Sequence, residues 1–161
     1  MVDVYIRPLR IGDHKVSYKW RNNPEIWELT GSSPDVVVTD EVEKAWVMNA
    51  MKEPDTIRRA ICISESDEYV GNVQLTNIKE GEAEFHIFIG ATEYWGQGIA
   101  TSATRQIIEV AFEKDIYEIY LYVKRANKKA ISVYRKCGFK TVQERSKVDP
   151  DSSKMAIVKP G

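Results

Sequence analysis

The fold is decided by the stretch from residue 82 to residue 114, which reads EAEFHIFIGATEYWGQGIATSATRQIIEVAFEK. Its first residues alternate in polarity, the pattern of a β-strand with one buried face. A loop with Gly96 and Gly98 follows, and this loop opens directly into an amphipathic helix. The free N–H groups and the positive dipole end of such a helix attract an anion. The stretch therefore predicts a strand, a phosphate-sized turn and a helix that together bind an anionic ligand.

The composition of the chain is typical of a soluble globular domain. It has 161 residues, of which 43% are hydrophobic and 29% are charged, and its net charge is -1. One domain over residues 1–161 is expected from this length. The near-zero charge favours neither nucleic acid nor a membrane surface, and no apolar run is long enough to span a bilayer. The N-terminus lacks the basic-then-apolar pattern of a signal peptide, so we expect a cytoplasmic protein.

The cysteines and histidines do not indicate a metal site. Cys62 and Cys137 lie far apart in the sequence, and we expect them to be buried free thiols. His14 and His86 are isolated, and no Cys or His pair has the spacing of metal ligands. We therefore predict no bound metal.

The first predicted elements are a strand and a short helix. Residues 3–8 should form the strand, which stops at a proline. Residues 13–21 should form the helix, with Asp13 as its N-cap and with Val16 and Trp20 on its apolar face.

Two further helices are predicted before the main part of the sheet. Pro24 fits the first turn of a helix that ends at residue 29, and a loop rich in Gly and Ser follows. Thr39 or Asp40 can cap the next helix, and Asp40 with Glu43 has the spacing of a capping box. The apolar surface of that helix should consist of Ala45, Trp46, Met48 and Met51.

From residue 57 onward the pattern is that of β-strands. Strands are predicted at residues 57–63, 69–75 and 82–89, separated by turns. Because short turns join antiparallel neighbours, these strands should form a meander.

The strand at residues 82–89 has two chemically different faces. One face carries Ala83, Phe85, Ile87 and Ile89, and the other carries Glu82, Glu84, His86 and Phe88. The first face should enter the core. The second sets a carboxylate and an imidazole side by side, either as a solvated surface or as a functional site.

A strand–helix–strand unit continues from this strand. The helix after the glycine loop has an apolar stripe made of Ala100, Ala103, Ile107, Val110 and Ala111. A β-rich segment follows at residues 118–123, and a crossover of this length predicts a right-handed connection and a parallel strand pair.

One more helix and a hairpin complete the chain. Asn127 should cap the helix and Gly138 should end it. Its apolar face should consist of Ala130, Val133, Tyr134 and Cys137. Strands that begin at residues 139 and 154 should form the terminal hairpin.

The glycine loop departs from two common phosphate-binding fingerprints. Thr101 stands where G-x-G-x-x-G has its third glycine, and Lys124 and Arg125 stand where an acidic residue would hold a ribose. The Gly-Lys-Ser/Thr ending of a P-loop is also missing. Nicotinamide binding and nucleotide hydrolysis are therefore both disfavoured.

Two motifs resemble those of the GNAT superfamily of N-acetyltransferases. Residues 93–101, EYWGQGIAT, are similar to the family's pyrophosphate loop, R/Q-x-x-G-x-G/A, with Trp95 at the position usual for Arg or Gln. Residues 127–139, NKKAISVYRKCGF, resemble the family's N-x-x-A-x-x-x-Y-x-x-x-G-F helix. The motifs occur in the family's order and spacing. They are most similar to the branch with ribosomal-protein N-terminal, spermidine and amino-sugar acetyltransferases.

This resemblance implies a fold and a co-substrate. The fold would be a mixed α/β (α+β) domain with a mostly antiparallel twisted sheet of about seven strands, one splayed parallel pair and about four flanking helices. Acetyl-CoA would be the co-substrate, with its pyrophosphate on backbone N–H groups of the loop. The implied cofactor-binding residues are Phe88, Ile89, Gln97, Gly98, Ile99, Ala100, Thr101, Asn127 and Lys129. Lys129 belongs to a basic cluster, with Lys124, Arg125 and Lys128, that could meet the adenosine phosphate or could simply be solvated.

The resemblance also implies a catalytic group. Tyr134 matches the family's general acid, which would protonate the leaving thiolate, although its place on the apolar stripe also fits a packing role. The residues themselves offer Glu84 and His86 for the amine side. An unperturbed histidine titrates near pH 6.5, which suits a base, and Glu84 could anchor the substrate ammonium. The choice among Glu84, His86 and water as base stays open.

Acetyl transfer to a primary amine is the activity that the resemblance implies. The amine would attack the thioester directly in a ternary complex. It could be a polyamine, an amino sugar or a peptide N-terminus, and the sequence does not choose among them. A catalytically silent acyl-CoA-binding sensor is the alternative, because the glycine loop would serve it equally well. A homodimer is a further family expectation.

Overall fold

The structure, a computed structural model, describes residues 2–26 and 37–161. Its centre is a seven-stranded sheet with the strand order β1-β2-β3-β4-β5-β7-β6. The strands are β1 (Val4–Pro8), β2 (Ile57–Ile63), β3 (Tyr69–Lys79), β4 (Glu82–Ile89), β5 (Glu118–Lys124), β6 (Lys140–Gln143) and β7 (Ser152–Val158). Neighbouring strands are antiparallel except β4 and β5, which are parallel. The predicted meander, the parallel pair and the mixed fold class are confirmed.

Helices cover both faces of the sheet. They are α1 (His14–Arg21), α2 (Asp40–Lys52), α3 (Ile99–Glu113) and α4 (Lys128–Lys136). Positions 24–26 are helical, as predicted, but the expected continuation to residue 29 and the loop after it lie outside the described residues. Within the described ranges, no helix is long and apolar enough to cross a membrane.

The sheet separates two hydrophobic clusters. The larger one joins the odd-numbered side chains of β4 and β5, such as Phe85 and Leu121, to α3 through Ile107. The smaller one lies on the opposite face, where α1 places Trp20 against the ring of Tyr69 at a centroid distance of 4.8 Å. The alternation of side chains along a strand assigns each residue of β4 to one of these two environments.

The helix α1 differs from its prediction in its cap and its buried face. Asp13 has helical backbone angles and makes no capping hydrogen bond to the helix. Its buried carboxylate instead accepts hydrogen bonds from the Arg7 guanidinium at 2.7 Å and from the Arg10 N–H at 2.8 Å. Val16 is exposed, and the buried residues of the helix are His14, Ser17 and Trp20. The prediction failed because a short helix has too few turns for its apolar face to be recognised.

The helix α2 begins at the predicted place but presents another face to the sheet. Thr39 is the N-cap, since its Oγ1 accepts the Val42 N–H at 3.2 Å. Asp40 pairs with His14 Nδ1. The buried residues are Glu43, Val47 and Ala50, whereas Ala45, Met48 and Met51 are exposed. The predicted apolar surface is therefore wrong for these three.

The helix α3 is buried along a slightly rotated stripe. Ala103, Ile107 and Ala111 are buried as predicted. Ala100 and Val110 lie at the margins, and Ile99 and Ile108 are buried in addition.

Candidate active site

The strands β4 and β5 diverge after a short parallel contact. They pair only where Glu82, Ala83 and Glu84 lie opposite residues 118–120. Beyond this point β4 continues to Ile89 and β5 to Lys124, and β5 pairs along its length with β7. The remaining edge of β4 therefore faces a gap, and an unpaired edge offers backbone groups for hydrogen bonding.

The backbone of β4 shows which groups face this gap. The Gly90 N–H donates to the Val70 carbonyl of β3 at 2.8 Å. Because the direction of hydrogen bonding alternates along a strand, Ile87 and Ile89 turn their backbone groups away from β3 and toward the gap. The Ile89 carbonyl accepts a hydrogen bond from the Trp95 indole at 2.9 Å. The Trp95 side chain thus covers the end of the unpaired β4 edge at Ile89.

The neighbouring residue Phe88 has the other orientation. Its ring packs edge-on against Trp20 at 5.7 Å, on the face of the smaller hydrophobic cluster. Of the two strand residues predicted to lie beside the cofactor, Ile89 therefore presents its backbone to the gap, whereas Phe88 pairs with Asn72 of β3 and packs its ring against Trp20.

The glycine loop ends in a helix N-terminus that lacks a side-chain cap. Gly96 and Gly98 have φ values of +78° and +80°, a conformation that favours glycine. Gly98 is the N-cap of α3 and supplies no side chain to the first turn. The Gln97 side chain bonds back to the Glu93 carbonyl at 3.1 Å. The first N–H groups of α3, from residue 99 onward, are therefore available to an anion.

The helix α4 lies against the start of α3. The Cys137 thiol is 3.6 Å from the Thr101 carbonyl, and Arg105 donates to the Lys136 carbonyl at 3.2 Å. Asn127 caps α4 as predicted, accepting the Ala130 N–H at 3.2 Å. Asn127 and Lys129 are exposed at the beginning of the helix. The two sequence motifs are thus neighbours in space.

Tyr134 lies on the side of α4 that faces the core. Its ring packs edge-on against Phe85 of β4 at 5.7 Å and against Phe139 at 5.9 Å. Burial raises the pKa of Tyr134 to about 12, and no hydrogen bond from a described side chain contributes to this shift. The hydroxyl is consequently protonated at neutral pH and has its proton to donate.

Glu84 and His86 lie on the opposite face of β4 and contact each other. The His86 Nε2 atom is 3.2 Å from Glu84 Oε2 and 3.2 Å from Thr76 Oγ1. Burial lowers the pKa of His86 below 6.5, a shift that the Glu84 carboxylate opposes and Arg58 reinforces. A neutral imidazole at pH 7 can accept a proton. Glu84 is held by a hydrogen bond from Asn77 at 3.1 Å.

Two further acidic groups lie at the closed end of the gap. Glu82 and Glu118 are opposite each other in the parallel pair. A hydrogen bond between their carboxyl groups raises the pKa of Glu118, and burial and repulsion by Glu82 add to this shift. A cation placed beside them would relieve the repulsion. The Lys154 ammonium lies 4.9 Å from the ring centroid of Tyr120, opposite Glu84 in the register.

Glu118 and Tyr120 are candidate site residues that the sequence alone did not indicate. The alternation over residues 118–123 would have placed them on one strand face. Only the register of the parallel pair shows that this face adjoins Glu84.

Comparison with known proteins defines the class. Residues 3–140 match the acetyltransferase (GNAT) domain family. The chain belongs to this family, and it is an acetyl-CoA-dependent N-acetyltransferase. The uncapped helix and the open strand edge fit the family's co-substrate.

The relatives include spermidine acetyltransferases. The chain is 31% identical over 142 residues to a spermidine N(1)-acetyltransferase of Escherichia coli (strain K12), which covers 84% of this chain and 72% of the relative. A crystal structure of spermidine N-acetyltransferase from Vibrio cholerae, in complex with CoA and spermine, superposes with a TM-score of 0.80 at 24% identity, covering 97% of this chain and 95% of the other. An aminoglycoside acetyltransferase in complex with coenzyme A superposes with a TM-score of 0.78 at 19% identity, covering 97% and 95%.

Proposed function

We propose that the acceptor is a small aliphatic polyamine, acetylated on a terminal primary nitrogen. The observation that carries this proposal is the row of carboxylates formed by Glu82, Glu84 and Glu118 beside the parallel strand pair. A polyamine carries several ammonium groups along an apolar chain, so one group can bind the carboxylates while another reaches the gap. The spermidine acetyltransferases among the relatives support the same acceptor class.

Among the described residues, no salt bridge joins Glu82, Glu84 or Glu118 to a lysine or an arginine. Lys154 lies over the Tyr120 ring and partly offsets the charge of Glu118, and Arg58 is paired with Glu53 at 2.9 Å. The carboxylates therefore keep their capacity for an external cation.

The co-substrate would be held by the groups that line the gap. The first N–H groups of α3, after Gln97 and Gly98, would bind the pyrophosphate, including those of Ile99, Ala100 and Thr101. The Ile89 N–H and the backbone of Ile87 would bond the pantetheine arm, since the Ile89 carbonyl is bonded to Trp95, and Asn127 and Lys129 would border the cofactor from α4. Acetyl-CoA supplies the activated acetyl group for transfer.

Three proton transfers complete the reaction. A free alkylamine has a pKa near 10.4, so the acceptor arrives mainly as an ammonium and must lose a proton. Neutral His86 takes this proton, directly or through water, while Glu84 orients the imidazole and attracts the ammonium. The amine nitrogen then attacks the thioester carbon, and the carbon–sulfur bond breaks. Tyr134 gives its proton to the departing sulfur from the other face of β4, and the protonated amide nitrogen then loses its second proton, directly or through water, to the Tyr134 phenolate.

We also propose that the protein acts in the cytoplasm. Cys62 and Cys137 are both free thiols, which agrees with the reducing cytoplasm. A homodimer remains a prediction, to be tested by light scattering of the purified protein.

A thiol-release assay with acetyl-CoA tests the acceptor class. The panel contains spermidine, an aminoglycoside and a peptide with a free N-terminus, and mass spectrometry identifies the acetylated nitrogen. We expect kcat/KM to be highest for spermidine. A preference for the peptide or the aminoglycoside would refute the polyamine assignment. Acetyl-CoA binding without thiol release for any amine would instead support a silent acyl-CoA-binding module.

A further inference from the structure

A cavity of about 500 Å³ lies between α4 and the β6–β7 hairpin, apart from the gap between β4 and β5. Its lining includes the basic residues Arg125, Lys128, Arg135 and Lys136 and one carboxylate, Glu144. Arg125 and Lys128 belong to the basic cluster near the cofactor loop, and the other lining residues have no role in the acyl-transfer site described above. The volume lies within the range of about 300–1,000 Å³ that is common for small-molecule sites.

The two sides of α4 face different parts of the molecule. Tyr134 and Cys137 point toward β4 and α3. Lys128, Ser132 and Arg135 are spaced at i, i+4 and i+7 and therefore share another side, which lines the cavity. The helix thus stands between the cavity and the acyl-transfer site.

The cavity also lies on the sheet face opposite the amine site. Met155 is fully buried and pairs with Leu121 of β5, whose side chain belongs to the larger hydrophobic cluster. Glu84 and His86 are on the other face of the sheet. A ligand in the cavity would therefore not occupy the place of the acceptor amine.

The charge of the cavity is strongly positive. Four cationic side chains and one carboxylate line it, whereas the whole chain has a net charge of -1. The salt bridges between described residues all join other groups, so none neutralises these cations. Like charges gathered around one cavity repel, and a bound anion removes that repulsion.

We propose that this cavity binds a small molecule with two or more phosphate groups. Arginine forms paired hydrogen bonds with phosphate oxygens, and lysine adds point charges around them. Arg125 and Arg135 supply the guanidinium groups, and Ser132 and Thr141 bring hydroxyl groups to the same wall. Ile131 and the buried Met155 offer an apolar surface for the organic part of such a ligand.

Calorimetry with inorganic pyrophosphate tests the proposal. The titration uses the full chain saturated with CoA, at constant ionic strength, so that the cofactor's own phosphate site is filled. We expect one equivalent of pyrophosphate to bind. The variants Arg135→Gln and Lys136→Gln should each weaken this binding about tenfold, the loss of one charge-assisted contact.

A matched variant controls for the general loss of charge. Lys140→Gln removes an exposed cation from β6 that does not line the cavity, and it should leave the Kd for pyrophosphate within about twofold. Circular dichroism checks that all three variants are folded. Pyrophosphate binding that disappears on saturation with CoA would show that only the cofactor site binds the anion. Equal weakening by all three substitutions would show unspecific attraction, and absence of binding to the wild type would also overturn the proposal.

Discussion

The two edges of β4 differ in how far they are paired. Toward β3 the strand is paired from Ile89, opposite Gly71, to Glu82, opposite Lys79. Toward β5 it is paired only at residues 82–84. The complete ladder holds β4 in place, and the incomplete one leaves backbone groups and space for a co-substrate. One strand can therefore serve as scaffold along one edge and as binding surface along the other.

The largest expected effect concerns the Tyr134 hydroxyl, beside the unpaired edge of β4. Tyr134→Phe should lower kcat by about 100-fold, because the proton donor is lost while the ring still packs on Phe85. The Kd for acetyl-CoA should change less than about twofold, since no binding contact is removed. Steady-state kinetics and calorimetry measure these quantities.

A second tyrosine provides the control for this prediction. Tyr117→Phe removes an exposed hydroxyl that bonds the Glu80 carbonyl at 3.0 Å, and it should not alter kcat. Unchanged turnover in Tyr134→Phe would mean that Tyr134 only packs.

The next largest effect concerns Gly90, which directly follows β4 and bonds to β3. A Cβ added at Gly90 would stand 2.0 Å from the Trp20 ring, so Gly90→Ala should destabilise the protein by about 1–3 kcal/mol. Urea denaturation followed by tryptophan fluorescence measures this loss. Gly12→Ala is the matched change, because its Cβ would have no neighbour within 4 Å. Equal stability of the two variants would show that the contact with Trp20 is not tight.

A smaller effect compares the two glycines of the loop. Gly98→Ala and Gly96→Ala both place alanine at a positive φ, and each should cost about 1 kcal/mol of stability. Only Gly98 is the N-cap of α3, so only its substitution should raise the Kd for acetyl-CoA, by about tenfold. If both variants bind acetyl-CoA equally well, the helix N-terminus is not the pyrophosphate site.

The smallest expected effect is a shift in the pKa of His86, which lies on the same face of β4 as Glu84. Glu84→Gln removes a carboxylate that raises the pKa of His86, so this pKa should fall further. Arg58→Gln removes a cation that lowers it, so the pKa should rise. NMR titration of the His86 ring follows both shifts.

The pH dependence of turnover should follow the same signs. His86 accepts a proton only when neutral, so kcat falls as the pH drops through its pKa. This acidic limb should move to lower pH in Glu84→Gln and to higher pH in Arg58→Gln. If the acidic limb of the kcat profile does not shift in these variants although NMR shows that the pKa of His86 does, His86 is not the base.

Prediction succeeded where the signals are local. The bounds of β4 were predicted correctly because alternation and flanking turns act within a few residues. Asn127 was recognised as a cap because capping depends on its own helix. The faces of α1 and α2 were mispredicted, as Val16 and Met48 show, because burial there depends on how Trp20 packs on the sheet and how Glu43 packs on α1.

The sequence by itself determined the order of the elements, the glycine loop and the helix that carries Tyr134. These features depend on side-chain periodicity, caps and turn residues, which act over one or two helical turns. The tertiary structure alone decided that Glu118 meets Glu82, that Tyr134 and His86 lie on opposite faces of β4, and that cations of α4 line a cavity with β7. Such juxtapositions follow from strand register and helix packing, which bring together residues far apart in the chain.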